Sequence, residues 1–144
     1  MAIWQVSFFV IPQKNSKCNL SCEKTLLWGQ QGTSIEKIDF LEKEESWTNQ
    51  ISQYGRDDET CIEFFYEDGS LLEISCRLDL RSLTKDMLIK ILKYIKSIDG
   101  LILFENKLYE ADMNRIIEIL KNSEANKFCK SPENYFKHLS SKKG

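Results

Sequence analysis

Apolar residues recur at every second position near the start of the chain, as Trp4, Val6, Phe8 and Val10, and Phe9 and Ile11 add apolar mass to the opposite face. That pattern predicts a strand over residues 2–11, buried most deeply at its end. Residues 13–24 show no firm period and predict a loop, followed by a short element around 25–28 that Gly29 and Gly32 punctuate. Over 34–43, Ile35, Ile38 and Leu41 fall on one helical stripe and predict a helix, and 47–54 predicts an extended stretch.

The clearest local signal is a hairpin, because residues 60–66 and 70–80 both read as extended and Glu67, Asp68 and Gly69 lie between them. A two-residue turn at Asp68 and Gly69 pairs Tyr66 with Leu71 and Phe64 with Glu73, which sets an apolar face against a polar one. A three-residue loop with Gly69 left-handed pairs Phe64 with Leu72 and Ile62 with Ile74, and is the predicted register. It places Ile62, Phe64, Tyr66, Leu72, Ile74, Cys76, Leu78 and Leu80 on the core face. Glu63, Phe65, Glu73, Ser75, Arg77, Asp79 and Arg81 fall on the other.

Beyond the hairpin the period changes to 3.6. Thr84 is an N-cap, Asp86 favours the first turn, and Met87, Leu88, Ile91, Leu92 and Ile95 form the buried stripe, with Lys85, Lys90, Lys93 and Lys96 largely off it. Asp99 and Gly100 end this helix. Residues 101–105 predict a strand that turns at Asn106 and Lys107 into 108–110. Asp112 then caps a helix that faces the core through Met113, Ile116, Ile117 and Leu120. Ser131, Pro132 and Glu133 open a final helix carrying Tyr135, Phe136 and Leu139. The order of elements predicts an α+β fold: one domain over residues 1–140, a mixed or antiparallel sheet with a central β-hairpin, helices packed on one face, and a disordered tail at 141–144.

Composition agrees with a packed globule. The chain has 144 residues, 42% apolar and 29% charged, with only 6 Gly and 2 Pro. A chain of this length buries roughly 68–70% of its unfolded surface. The apolar opening lacks a basic leader and a small-residue cleavage site and is too short to span a bilayer, so a cytoplasmic protein with no membrane partner is expected. Five cysteines, Cys18, Cys22, Cys61, Cys76 and Cys129, form an odd set without a paired framework. Free thiols in a reducing compartment follow.

Catalytic signals are sparse. The single histidine, His138, lies in a lysine-rich tail, so no base is placed to activate a serine or cysteine nucleophile. The six glycines are scattered and none precedes a Lys-Ser or Lys-Thr pair, which leaves no phosphate loop. Asp57, Asp58 and Glu59 are consecutive, but the glycine and late glutamate of a calcium loop are missing. No catalytic residue, metal site or cofactor is therefore expected, and the protein is not expected to be an enzyme. The lysines of the 84–98 helix could face nucleic acid, yet the pI of about 5.5 and the lack of interleaved aromatics argue against such a partner.

Charge is uneven. Between Glu36 and Glu73 twelve acids face three bases, a net of −9, which leaves +7 on the remainder and −2 overall. Such a dipolar field steers a charged partner. The acids lie near Trp47, Tyr54 and Phe65, side chains favoured as interface anchors, so one reading is a docking surface for a basic protein built from Glu44, Glu45, Trp47, Tyr54, Asp57, Asp58 and Glu59. The other reading is that Trp47 and Tyr54 are core and the acids only solubilise. The exposed hairpin face, with Glu73, Ser75, Arg77, Asp79 and Arg81, reads as self-neutralising neighbours or as a second polar recognition surface.

Three runs, IWQVSFFVIP from Ile3, IEFFYEDGSLLEISCRLDLRSL from Ile62 and KNSEANKFCKSPENYF from Lys121, give the chain a resemblance to bacterial immunity proteins of polymorphic and contact-dependent growth inhibition toxins. The resemblance implies a cytosolic partner that binds a cognate toxin C-terminal domain tightly and blocks its active site. Many such toxins are nucleases with basic clefts, to which an acidic surface is complementary. An adaptor or regulatory domain for another cellular protein is the alternative, with a small metal-dependent enzyme third.

Overall fold

The period-two segments pair into one antiparallel sheet. The structure, a computed structural model, describes residues 3–15, 27–29, 35–46, 48–123 and 125–126. Within them the chain forms β1 (Gln5–Pro12), a 3-10 turn (Gln13–Asn15), β2 (Lys43–Glu44), β3 (Ile51–Tyr54), β4 (Cys61–Glu67) and β5 (Ser70–Asp79). Helix α1 (Lys85–Ser97), β6 (Gly100–Phe104), β7 (Lys107–Tyr109) and helix α2 (Met113–Lys121) follow. The strands lie in the order β2-β3-β4-β5-β1-β6-β7, so the N-terminal strand is inserted between the long hairpin arm β5 and β6. This is the expected α+β class, with every pairing antiparallel.

One face of the sheet carries the core. Val6, Phe8, Val10, Ile62, Phe64, Ile74, Cys76, Leu78 and Ile102 share a single apolar cluster with Leu88, Ile91, Leu92 and Ile95 of α1 and with Ile116 and Ile119 of α2. Both helices therefore pack on that side. Thr84 caps α1 by accepting from the Met87 N–H at 3.1 Å, and Asp112 caps α2 by accepting from the Arg115 N–H at 2.8 Å. Each oxygen satisfies an amide that the helix itself cannot. In α2 the buried stripe runs through Ile116 and Ile119 rather than Ile117, which is 38% exposed.

The hairpin differs from its predicted register. Asp68 (φ +51°) and Gly69 (φ +80°) form a two-residue turn with both central residues left-handed, and Tyr66 pairs with Leu71. The register then shifts between Phe65 and Tyr66, because β5 holds one extra residue, and the remaining pairs are Phe64 with Ile74 and Ile62 with Cys76. The bulge reconciles a tight turn with an apolar core face, which an unbroken ladder cannot combine. Leu71 is consequently fully buried and Leu72 only half-buried. The backbone of Leu71 is satisfied by Trp28 and Gly29, whose N–H groups donate to its carbonyl at 3.1 and 3.0 Å, and its own N–H donates to the Gly29 carbonyl at 2.7 Å.

Two further expectations change. The helix predicted over 34–43 does not form among the described residues 36–42, which run without regular structure into β2. Ile35 is buried while Ile38 and Leu41 pack only partly against the core, and the Tyr94 hydroxyl donates to the Ile35 carbonyl, so tertiary contacts override a weak stripe. The second hairpin turns at Glu105 (φ +48°) and Asn106 (φ +63°), one residue earlier than the spacing suggested. The predicted final helix at Ser131, Cys129 with the Cys18–Cys22 pair, His138, the 141–144 tail and Trp47 lie outside the described residues.

Candidate functional site

The sheet face that carries neither α1 nor α2 is organised around the acidic loop between β3 and β4. Cross-strand partners share a face, so Gln5 opposite Asp79, Ser7 opposite Arg77 opposite Cys61, and Phe9 opposite Ser75 opposite Glu63 form successive rows on it. Phe65 with Ile51 and Glu73 makes a further row, and Glu63 continues through Gln53 to Glu44 at the sheet edge.

The loop folds over the end of this face and is held by its backbone. Trp4 Nε1 donates to the Asp58 carbonyl at 2.9 Å, and Gln5 Nε2 donates to the carbonyls of Asp57 at 3.0 Å and Glu59 at 2.6 Å. Arg77 reaches the Asp57 carbonyl at 3.2 Å and Arg81 the Asp58 carbonyl at 3.2 Å. Thr60 closes the far side by accepting from the Asp79 N–H at 3.0 Å. Four side chains in or directly beside β1 and β5 thus grip three consecutive carbonyls, while the carboxylates of Asp57, Asp58 and Glu59 are exposed. Among the described residues they make one ion pair, Arg56 Nε to Asp58 Oδ1 at 3.7 Å, between two exposed groups.

The gripping side chains are themselves ordered. Arg81 donates to both oxygens of Asp79, at 3.0 and 2.9 Å, and stacks over the Trp4 ring at 3.8 Å. Burial favours the protonated form of Asp79, but the Arg81 guanidinium, the Arg81 N–H and the Ser82 hydroxyl outweigh it and hold the carboxyl below its ordinary range. Cys61, beneath the loop, is fully buried, and burial pushes its thiol up to about 12, which makes it a poor nucleophile at neutral pH.

The sequence-derived contact residues separate into groups. Asp57, Asp58 and Glu59 come together on the gripped loop. Glu44, opposite Gln53, and Glu45 after it lie at the edge of the sheet, as β2 runs away from the loop toward the Ile51 end of β3. Tyr54 is a core residue. It is 9% exposed, its ring packs edge-on against Phe64, and its hydroxyl donates to Glu36 at 2.9 Å. Its ring is therefore withdrawn from the surface. Trp4, Gln5, Arg77 and Arg81 were missed as loop-holding groups because they act on a segment some twenty to fifty-four residues away. The alternation of Arg77, Asp79 and Arg81 was the only legible trace.

Among the described residues no three metal-ligating side chains converge, and no helix is long and apolar enough to cross a membrane. The fold class is that of a small antiparallel α+β domain with helices on one face. No protein-family model, curated protein or solved structure matches the chain.

Proposed function

We propose that this chain is a binding protein that neutralises a cognate toxin domain, a basic protein, by tight association through its acidic surface. The observation that supports this most is the gripped loop. Its three exposed carboxylates take almost no part in internal contacts, while the backbone beneath them is held by five side-chain hydrogen bonds. A rigid acidic projection loses little entropy when it meets a basic cleft, and its field raises the encounter rate. In this reading the protein acts in the cytoplasm, needs no cofactor, and inhibits by covering the toxin's active site.

Binding kinetics at several salt concentrations provide the test, with the cognate toxin C-terminal domain as the partner. Reversing Asp57, Asp58 and Glu59 together to lysine should slow association about tenfold or more at low ionic strength and flatten its salt dependence. An unchanged association rate would exclude the loop as the docking surface.

A further inference from the structure

The part of the same sheet face beside the acidic loop is concave. Ser7, Phe9, Ile51, Glu63, Phe65, Glu73, Ser75 and Arg77 line a depression of about 290 Å³. That is near the lower limit, about 300 Å³, of small-ligand sites and suits a single side chain. Its neighbours on the face are closed, since Cys61, Ile11 and Leu103 are buried, whereas Phe9 is 36% exposed.

The charges inside do not cancel. Arg77 NH2 lies 2.7 Å from Glu63 Oε1, so the one guanidinium is engaged by one carboxylate and, through NH1, by the loop. Glu73 has no hydrogen bond or ion pair among the described residues. Burial, and then the Glu63 charge, raise its proton affinity. The depression thus holds a second, partly desolvated carboxylate without a cation, in a lining that includes Phe9 and Phe65.

We propose that this depression receives a basic side chain, lysine or arginine, of the partner protein. The inference deepens the reading of the chain as a binder of a basic protein and rests on it. A cation on Glu73 completes the charge balance of two carboxylates and two cations, and Phe9 and Phe65 in the lining offer apolar surface to its stem. An apolar group would leave Glu73 desolvated and unpaired, and an acidic one would meet two carboxylates. The loop then governs approach, and the depression governs how long the complex lasts.

The probe is a hexaarginine peptide titrated into the full-length chain, followed residue by residue by two-dimensional NMR. Shifts are expected at Ser7, Phe9, Phe65, Glu73 and Ser75 as well as at the loop. Glu73→Gln should weaken binding about fivefold. Phe9→Ala, which removes an exposed ring, should weaken it too, and the unliganded spectra report whether each variant keeps the fold. Lysine reversal of Asp57, Asp58 and Glu59 should weaken the titration but leave the pattern at Phe9, Phe65 and Ser75. Shifts confined to 56–60, with affinity unmoved by Glu73→Gln, would overturn this inference and leave the proposed function standing. Shifts at neither place would overturn both.

Discussion

Glu36 shows how much one side chain can organise. Its carboxylate accepts from the hydroxyls of Tyr54, at 2.9 Å, and Tyr66, while Lys43 Nζ stands 3.6 Å away. Burial, reinforced by the hydrogen bond to Glu36 and by its charge, pushes the Tyr54 hydroxyl up to about 12. Burial likewise raises Tyr66 and Tyr94. In the unfolded chain these phenols ionise near pH 10. Because the folded values are higher, their stabilising contribution is complete below about pH 10 and is lost as pH rises through the folded values. Chemical denaturation followed across this range should show unfolding free energy falling from about pH 10 upward, with phenolate absorbance from these tyrosines appearing late. Glu36→Gln, which removes the charge but not the burial, should soften the loss without abolishing it. Titration of all three near pH 10 in the folded protein would contradict this account.

At the scale of elements, the turns are where glycine matters, and two of them make a contrast. Gly55 (φ +85°) follows β3, and a Cβ there would stand 2.3 Å from the Thr60 carbonyl oxygen and 3.1 Å from the Cys61 Cα. Gly69 (φ +80°) in the hairpin has open space around the same position. Gly69→Ala therefore meets only the left-handed backbone penalty and should cost about 1 kcal/mol. Gly55→Ala adds a backbone clash at the root of the acidic loop and should cost about 3 kcal/mol. Urea midpoints of the two variants check the ranking, and equal costs would show that the 55–60 loop yields easily. The bulge in β5 belongs to this scale as well. A turn of two residues and an apolar match at Phe64 and Ile74 cannot coexist in an unbroken ladder, so the extra residue is the device that admits both.

Across the whole molecule, β1 links core and surface. Its Val6, Phe8 and Val10 enter the helix-covered core, while Gln5 on the opposite face, together with Trp4 just before the strand, holds the acidic loop. Trp4→Phe keeps a ring for Arg81 to stack on but deletes the donor to the Asp58 carbonyl, which should cost about 1 kcal/mol of stability. Amide hydrogen exchange over 56–60 should quicken in this variant while α1 stays protected. Unchanged exchange in the loop would mean that Gln5, Arg77 and Arg81 hold it without help.

Local chemistry was legible in the sequence wherever one residue type answers one local need. Thr84 and Asp112 cap their helices because a short oxygen before an apolar stripe satisfies free amides, and the core faces of β1 and β4 follow from period two. The α+β class could be read from the same periods. The crowding of acids between Glu36 and Glu73 was likewise visible, since charge is counted directly. Only the tertiary structure decided that Tyr54 turns inward to Glu36, that Ile35, Ile38 and Leu41 give no helix through 36–42, and that the hairpin absorbs a bulge at Leu72. Each depends on a partner distant in sequence: Tyr54 on Glu36, the Ile35 carbonyl on Tyr94, and Leu71 beside the bulge on Trp28 and Gly29. The candidate site divides the same way. Its carboxylates were plain in the sequence, but the grip of Trp4, Gln5, Arg77 and Arg81 on three carbonyls arises only when β1 and β5 lie side by side, because backbone carbonyls leave no mark in the amino-acid sequence.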